Sequence, residues 1–251
     1  WVPEPLLWGT VVGFALHVAA LALPLRRAGE LSSPVFALRS PAWQIFWTGI
    51  GVMVVGQAMT SATELVDQFL AARLDPGSLS TLSYANRVLG LLMGLGATAV
   101  SRATLPVFST VRAQGGDAVK SLALSWAGFM FALGLVALLV MWFAAPWIVR
   151  LLFERGAFTS ADTLAVTAIL RICLLQMPFY FPALVFVSAL AAQQGHAKIA
   201  LSGALNLIIK LPIALILVRS FQLQGLVIST AVMYAVSLVL LYGMLRTHRS
   251  A

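Results

Sequence analysis

Charge is what this sequence has least of. Only 10% of its 251 residues are Asp, Glu, Lys or Arg, where a soluble domain carries about 25%. The rest is dominated by apolar runs, with 61% hydrophobic residues and a mean hydropathy of +0.96, which excludes a soluble, disordered or collagen-like chain. Cysteine is scarce as well: Cys173 stands alone, so no disulfide framework is expected. The three histidines, His17, His196 and His248, have no ligand spacing, which argues against a metal site. Neither a phosphate-cradling glycine loop nor a hydrolytic triad is present, so no enzyme chemistry and no cofactor are expected. Sixteen Lys and Arg against eight Asp and Glu leave a net charge of +8, but the charges are scattered singly and do not form a nucleic-acid-binding stripe.

What is present is a series of apolar windows, each near the 20 or so residues that cross a bilayer. They fall at 6–25, 43–72, 80–107, 122–145, 163–192, 199–218 and 223–245. The fold class expected is therefore an all-α polytopic membrane protein with about seven transmembrane helices. Connections carry the polar and turn residues, among them Asp75-Pro76-Gly77-Ser78, Gly115-Gly116-Asp117, Glu154-Arg155-Gly156 and Gln193-Gln194-Gly195-His196. None is long enough for a soluble domain. Tryptophans such as Trp8, Trp43, Trp142 and Trp147 flank spans as interfacial anchors do. The chain starts at Trp1 without a basic leader or cleavage site and reads as part of something longer.

Prolines fall inside several spans: Pro106 in the third, Pro178 and Pro182 in the long fifth window, and Pro212 in the next. Each removes an intrahelical hydrogen bond and favours a kink, of the kind transporters use around a wet cavity. Gly90, Gly94 and Gly96 place small residues along the third span, which predicts close helix packing or a hinge.

The sharpest signal is ionisable residues at membrane depth, each of which costs at least about 2.5–3.5 kcal/mol on insertion scales and so seeks a partner or water. Glu64 and Asp67 share one face of the second span, Arg87 lies in the third and Lys210 near the middle of the sixth. Counting outward from the Asp75-Pro76 turn puts Glu64 and Arg87 at matching depth, which predicts a pair, and Lys210 can reach either acid. A network of Glu64, Asp67, Arg87 and Lys210 follows, either a transport element or an ion-pair staple. Arg73, Arg102, Arg150, Arg171 and Arg219 are expected to snorkel toward the interface and are assigned no function.

Three segments resemble the MurJ/MviN family of lipid II flippases, within the multidrug/oligosaccharidyl-lipid/polysaccharide exporter superfamily. The first runs from Val66-Asp67-Gln68-Phe69-Leu70 through Pro76-Gly77-Ser78 to Tyr84-Ala85-Asn86-Arg87; the second is Leu152-Phe153-Glu154-Arg155-Gly156-Ala157-Phe158-Thr159; the third is Ala192-Gln193-Gln194-Gly195-His196-Ala197-Lys198-Ile199-Ala200. The resemblance implies two helical bundles facing each other across a cavity. Residues 1–41 would then be the last helix of the first bundle with a cytoplasmic linker, and residues 42–251 the six-helix second bundle. It implies a transporter of the bacterial cytoplasmic membrane that moves undecaprenyl-pyrophosphate-linked lipid II to the outer leaflet by alternating access. Its partners would be that lipid, the bilayer and an N-terminal bundle supplied upstream or by a second protein. A flippase for another polysaccharide-linked lipid and a non-transporting scaffold are the rival readings. Arg87, flanked by Asn86 and Tyr84, would bind the headgroup. Asp67 and Asn206 fall on positions that bind sodium in some members, but Lys210 stands where that pattern has an acid, and Asn86 replaces a usual aspartate.

Orientation follows from the basic residues. Arg26, Arg27, Arg39, Arg112, Lys120, Lys198, Arg246 and Arg249 fall on one set of connections and only Arg73, Arg150, Arg155 and Arg219 on the other, so the first set is predicted to be cytoplasmic. Single-cysteine variants at Ser78 and Thr159 should react with an impermeant thiol reagent added outside intact cells. Reaction only after permeabilisation would overturn the orientation.

Overall fold

A computed structural model describes residues 4–29, 42–112 and 115–247. The expected linker with Arg39, the residues at 113–114 and the tail carrying His248 and Arg249 lie outside the described residues. Seven α-helices and no strand occur among the described residues: α1 (Glu4–Arg27), α2 (Ala42–Ala71), α3 (Ser78–Val111), α4 (Gly116–Phe153), α5 (Ser160–Leu174), α6 (Met177–Ala192) and α7 (His196–Arg246). Two compact units divide the chain, residues 1–47 and residues 48–251. The first holds the apolar helix α1.

Helices α3, α4 and α7 are each long and apolar enough to cross a membrane, and α5 with α6 form one further crossing bent by 43°. At 51 residues α7 would measure about 77 Å, more than twice a bilayer core, and it is broken at Gln222, whose φ of 49° and ψ of −127° are not helical. Its two halves double back on each other. The Lys198 ammonium donates to the Met244 carbonyl, Asn206 Nδ2 donates to Ser237 Oγ, and a side chain at Gly225 would collide with the Leu217 carbonyl. These pairs are nearly symmetric about the Gln222 turn, the signature of an antiparallel hairpin. The fifth sequence window thus becomes two helices, and the sixth and seventh join at a turn so tight that it lacks any loop.

Helix α6 is the hub. It packs against α3, α4 and α7 and is buried on nearly all sides, from Met177 to Leu190, as a helix apolar all round must be. Glycine makes two of these approaches possible. A side chain at Gly96 of α3 would overlap the Phe181 ring, and one at Gly134 of α4 would stand 2.9 Å from the Met177 carbonyl at the start of α6. Gly90 and Gly94 behave otherwise, since nothing lies within 4 Å of a side chain built on either. The close packing predicted for all three glycines of the third span therefore holds for Gly96 alone. Outside this core, Phe143, Trp147, Leu151, Leu164, Ile208 and Val239 are left exposed. In water such a belt would be an association surface; around a membrane bundle it meets acyl chains.

The prolines act locally. Pro178 lies in the first turn of α6, where its missing N–H costs little, and the helix break falls just before it. Pro212 leaves α7 helical, and the break in that helix lies at Gln222. Pro146 inside α4 deprives the Trp142 carbonyl, four residues earlier, of its helical donor. Arg171 of α5 supplies the replacement: its Nε donates to that carbonyl at 3.1 Å, with the guanidinium 5.7 Å from the Trp142 ring centroid. Arg171 was expected to snorkel; it stays inside because a freed carbonyl in an apolar medium is a stronger partner than a distant headgroup.

At the end where α2 meets α3 and α4 meets α5, the Leu152-to-Thr159 loop closes the bundle. Thr159 caps α5 in a capping box with Asp162, donating from its backbone N to Asp162 Oδ2 at 2.8 Å and accepting from Asp162 N at 3.3 Å. Glu154 accepts from the Thr163 hydroxyl at 2.8 Å, and Gly156 takes a φ of 64°. The Phe153 and Phe158 rings stand edge-on to Tyr84, with centroids 4.9 and 5.0 Å away. At the opposite end Arg112 donates to the Ala192 carbonyl, placing the connections predicted to be cytoplasmic together.

Removing Arg171 should therefore expose the debt left by Pro146. Arg171→Met is expected to lower the stability of the detergent-solubilised protein by roughly 1–3 kcal/mol, the cost of an unpaired buried polar group. Pro146→Ala restores the helical donor and should recover part of that loss in the double variant. Strictly additive effects on thermal melting would dissociate the two residues.

Candidate functional site

A cavity of about 900 Å³ opens within the second unit between α2, α3, the α5–α6 bend and both halves of α7. The membrane-depth charges converge on it. Helix α2 contributes Glu64 and Asp67, α3 contributes Asn86 and Arg87, and α7 contributes Asn206 and Lys210. The shape follows from sequence spacing: Asn86, Arg87, Gly90 and Gly94 recur at helical intervals down one face of α3, so the two glycines that pack against nothing widen the cavity.

At its floor the Lys210 Nζ lies 2.6 Å from Asp67 Oδ2. The side chain of Lys210 is 1% exposed and that of Asp67 16%, so this is a desolvated ion pair joining α2 to the first half of α7. Breaking such a pair from one side leaves a bare charge in an apolar medium, a loss of about 3–5 kcal/mol. The Thr230 side chain lies close to the same carboxylate. Asp67 Oδ1 and Asn206 Oδ1 are both buried with no hydrogen-bond donor among the described residues, while the Asn206 amide is spent on Ser237.

Arg87 and Glu64 do not complete the expected four-member network. Both are exposed on the cavity wall, and neither forms an ion pair with the other or with any described residue. Arg87 instead sits with its guanidinium carbon 5.4 Å from the centroid of Tyr84. The cavity lies between the two helices and leaves each charge open to what fills it. Tyr84 is also displaced from its expected role. Its ring belongs to the Phe153 and Phe158 cluster and borders a separate small cleft of about 250 Å³ beside Gly77 and Phe158, so it supports Arg87 from behind rather than lining the main cavity.

Sequence reasoning passed over Gln176, Tyr180 and Tyr234, which also line the cavity. Gln176 had a signal: a lone amide between Leu175 and Met177 in an apolar run, two residues before Pro178. The two tyrosines had none, since isolated tyrosines in a span read equally well as packing. Among the described residues no three His, Cys, Asp or Glu side chains gather as a metal site would require.

This architecture has close relatives. Residues 3–250 match the family described as "Lipid II flippase MurJ". A protein of Bdellovibrio bacteriovorus named probable lipid II flippase MurJ is 29% identical over 98% of this chain and 47% of its own length. One of the same name from Rhizobium meliloti is 27% identical over 96% of this chain and 45% of its own. The chain thus spans about half the length of the curated relatives it matches. Among solved structures, the inward closed conformation of lipid II flippase MurJ superposes with a TM-score of 0.68 at 24% identity, covering 81% of this chain and 42% of that one. The bent form of the Vibrio cholerae MATE transporter VcmN reaches a TM-score of 0.70 at 17% identity over 95% of this chain and 55% of that one. At these identities the superpositions speak for the fold alone, a bundle of long apolar helices. With the family match running almost end to end, the chain belongs to the MurJ family.

Proposed function

We propose that this chain forms the second half of a lipid II flippase of the bacterial cytoplasmic membrane. In this reading residues 42–251 are the second bundle and residues 1–41 the last helix and linker of the first, which an N-terminal bundle completes. The observation that carries the proposal is Arg87, a guanidinium in an apolar span that faces a cavity of about 900 Å³ with no carboxylate partner among the described residues. A charge in that position has its desolvation offset only by an anion or by water. The headgroup of an undecaprenyl-linked precursor brings a pyrophosphate, and a guanidinium binds such oxygens through parallel, charge-assisted hydrogen bonds.

Asn86 stands beside Arg87 with a neutral amide that can donate to sugar or phosphate oxygens without adding charge. Tyr84 holds the guanidinium from behind, through its ring. Glu64, exposed one turn from Asp67, would accept from headgroup hydroxyls or amides. The apolar belt outside the bundle leaves the polyprenyl tail in the bilayer while the headgroup occupies the cavity. Alternating access then amounts to rocking of this bundle against its complement. The Lys210–Asp67 pair keeps α2 attached to α7 through that movement.

Replacing Arg87 tests the reading. In the full-length protein Arg87→Ala should lower lipid II flipping by about 10- to 100-fold, the loss of one or two charge-assisted contacts. Arg87→Lys should recover little, because an ammonium lacks the planar fork. Arg246→Ala, which removes an exposed charge at the end of α7, should leave flipping unchanged. Headgroup-protection measurements in cells, with membrane insertion checked for each variant, give the answer. Full flipping by an inserted Arg87→Ala protein would refute the headgroup role of Arg87.

A further inference from the structure

The Lys210–Asp67 pair decides what the cavity floor can hold. An alkali cation is held by oxygens, a carboxylate together with amide, hydroxyl and carbonyl groups. Asp67, Asn206 and Thr230 make up such a set, and two of its oxygens, Asp67 Oδ1 and Asn206 Oδ1, are buried without a donor among the described residues. A sodium ion nonetheless does not fit among them. The Lys210 ammonium is buried 2.6 Å from Asp67 Oδ2, where it neutralises the carboxylate and would repel a second cation a few ångströms away. Glu64, the other acid on α2, is exposed in the cavity and does not replace the neutralised charge at the floor.

We infer that Lys210 is a resident cation: a tethered ammonium that occupies the position of an exchangeable alkali ion, so that this site is permanently loaded and insensitive to sodium. The link it makes between α2 and α7 is then a fixed part of the bundle and not one that an ion gradient makes and breaks. The same geometry predicts what Lys210 conceals. Without the ammonium, the Asp67 carboxylate regains its charge deficit in the middle of a ready set of neutral oxygens, and an alkali cation becomes the most accessible compensation. This inference concerns the cation at the floor and stands whichever lipid the cavity carries.

The test is thermal melting of the purified full-length protein in sodium chloride against choline chloride at equal ionic strength. Wild-type protein is expected to melt at the same temperature in both. Lys210→Met is expected to melt lower than wild type in choline and to recover progressively as sodium is raised, since a ligand bound only to the folded state stabilises with the logarithm of its concentration above its dissociation constant. Adding Asp67→Asn to Lys210→Met should abolish the sodium response. If Lys210→Met does not accumulate in the membrane, Lys210→Gln, whose amide can still donate to Asp67, carries the same comparison. Two results would overturn the inference: a sodium-specific rise in wild-type melting that Asp67→Asn removes, or a folded Lys210 variant that melts identically in the two salts.

Discussion

A polar group inside hydrocarbon has no water to fall back on, and nearly every distinctive feature of this protein answers that constraint. Where Pro146 strips the Trp142 carbonyl of its helical donor, Arg171 arrives from the next helix to replace it. Where α6 ends, Arg112 takes up the Ala192 carbonyl; where α7 ends, Lys198 takes up that of Met244. Lysine and aspartate at the cavity floor neutralise each other. These cations, spread along the sequence, bind the bundle at its kinks and ends; at the half-buried Trp142 carbonyl, leaving the acceptor bare costs more than burying the charge against it, while Arg112 ties an exposed helix end.

Against that background the cavity is the exception that marks function. Arg87 and Glu64 are charges that form no ion pair among the described residues, on walls that Gly90 and Gly94 keep open. The division of labour is sharp: Lys210 and Asp67 hold structure one turn from groups that face the cavity. A bundle made only of satisfied charges would be a rigid plug. A bundle with a guanidinium that has no carboxylate partner among the described residues, facing a cavity, can receive an anion there.

The segment that reads most distinctively in the sequence, Leu152 to Thr159, is structural. Its phenylalanines brace Tyr84, its glutamate accepts from Thr163, its glycine turns the chain and its threonine caps α5. Each position demands a particular side-chain chemistry, which explains why the loop is recognisable while the cavity walls, built from common residues at helical spacing, are not.

The sequence by itself determined the number and order of crossings, because a bilayer fixes the length of an apolar run and turn residues mark its ends. It also determined which charges lie at membrane depth, since their distance from a turn follows from helical rise. Tertiary structure alone decided who pairs with whom. Asp67 and Glu64 lie one turn apart on α2, and only the placement of α7 selects Asp67 for Lys210 and leaves Glu64 to the cavity. Arg171 and Arg87 read alike as arginines in apolar helices, yet one faces a carbonyl freed by a proline on a neighbouring helix and the other faces open space. Such choices depend on side-chain positions across helices distant in sequence, information that hydrophobic period and residue spacing do not contain.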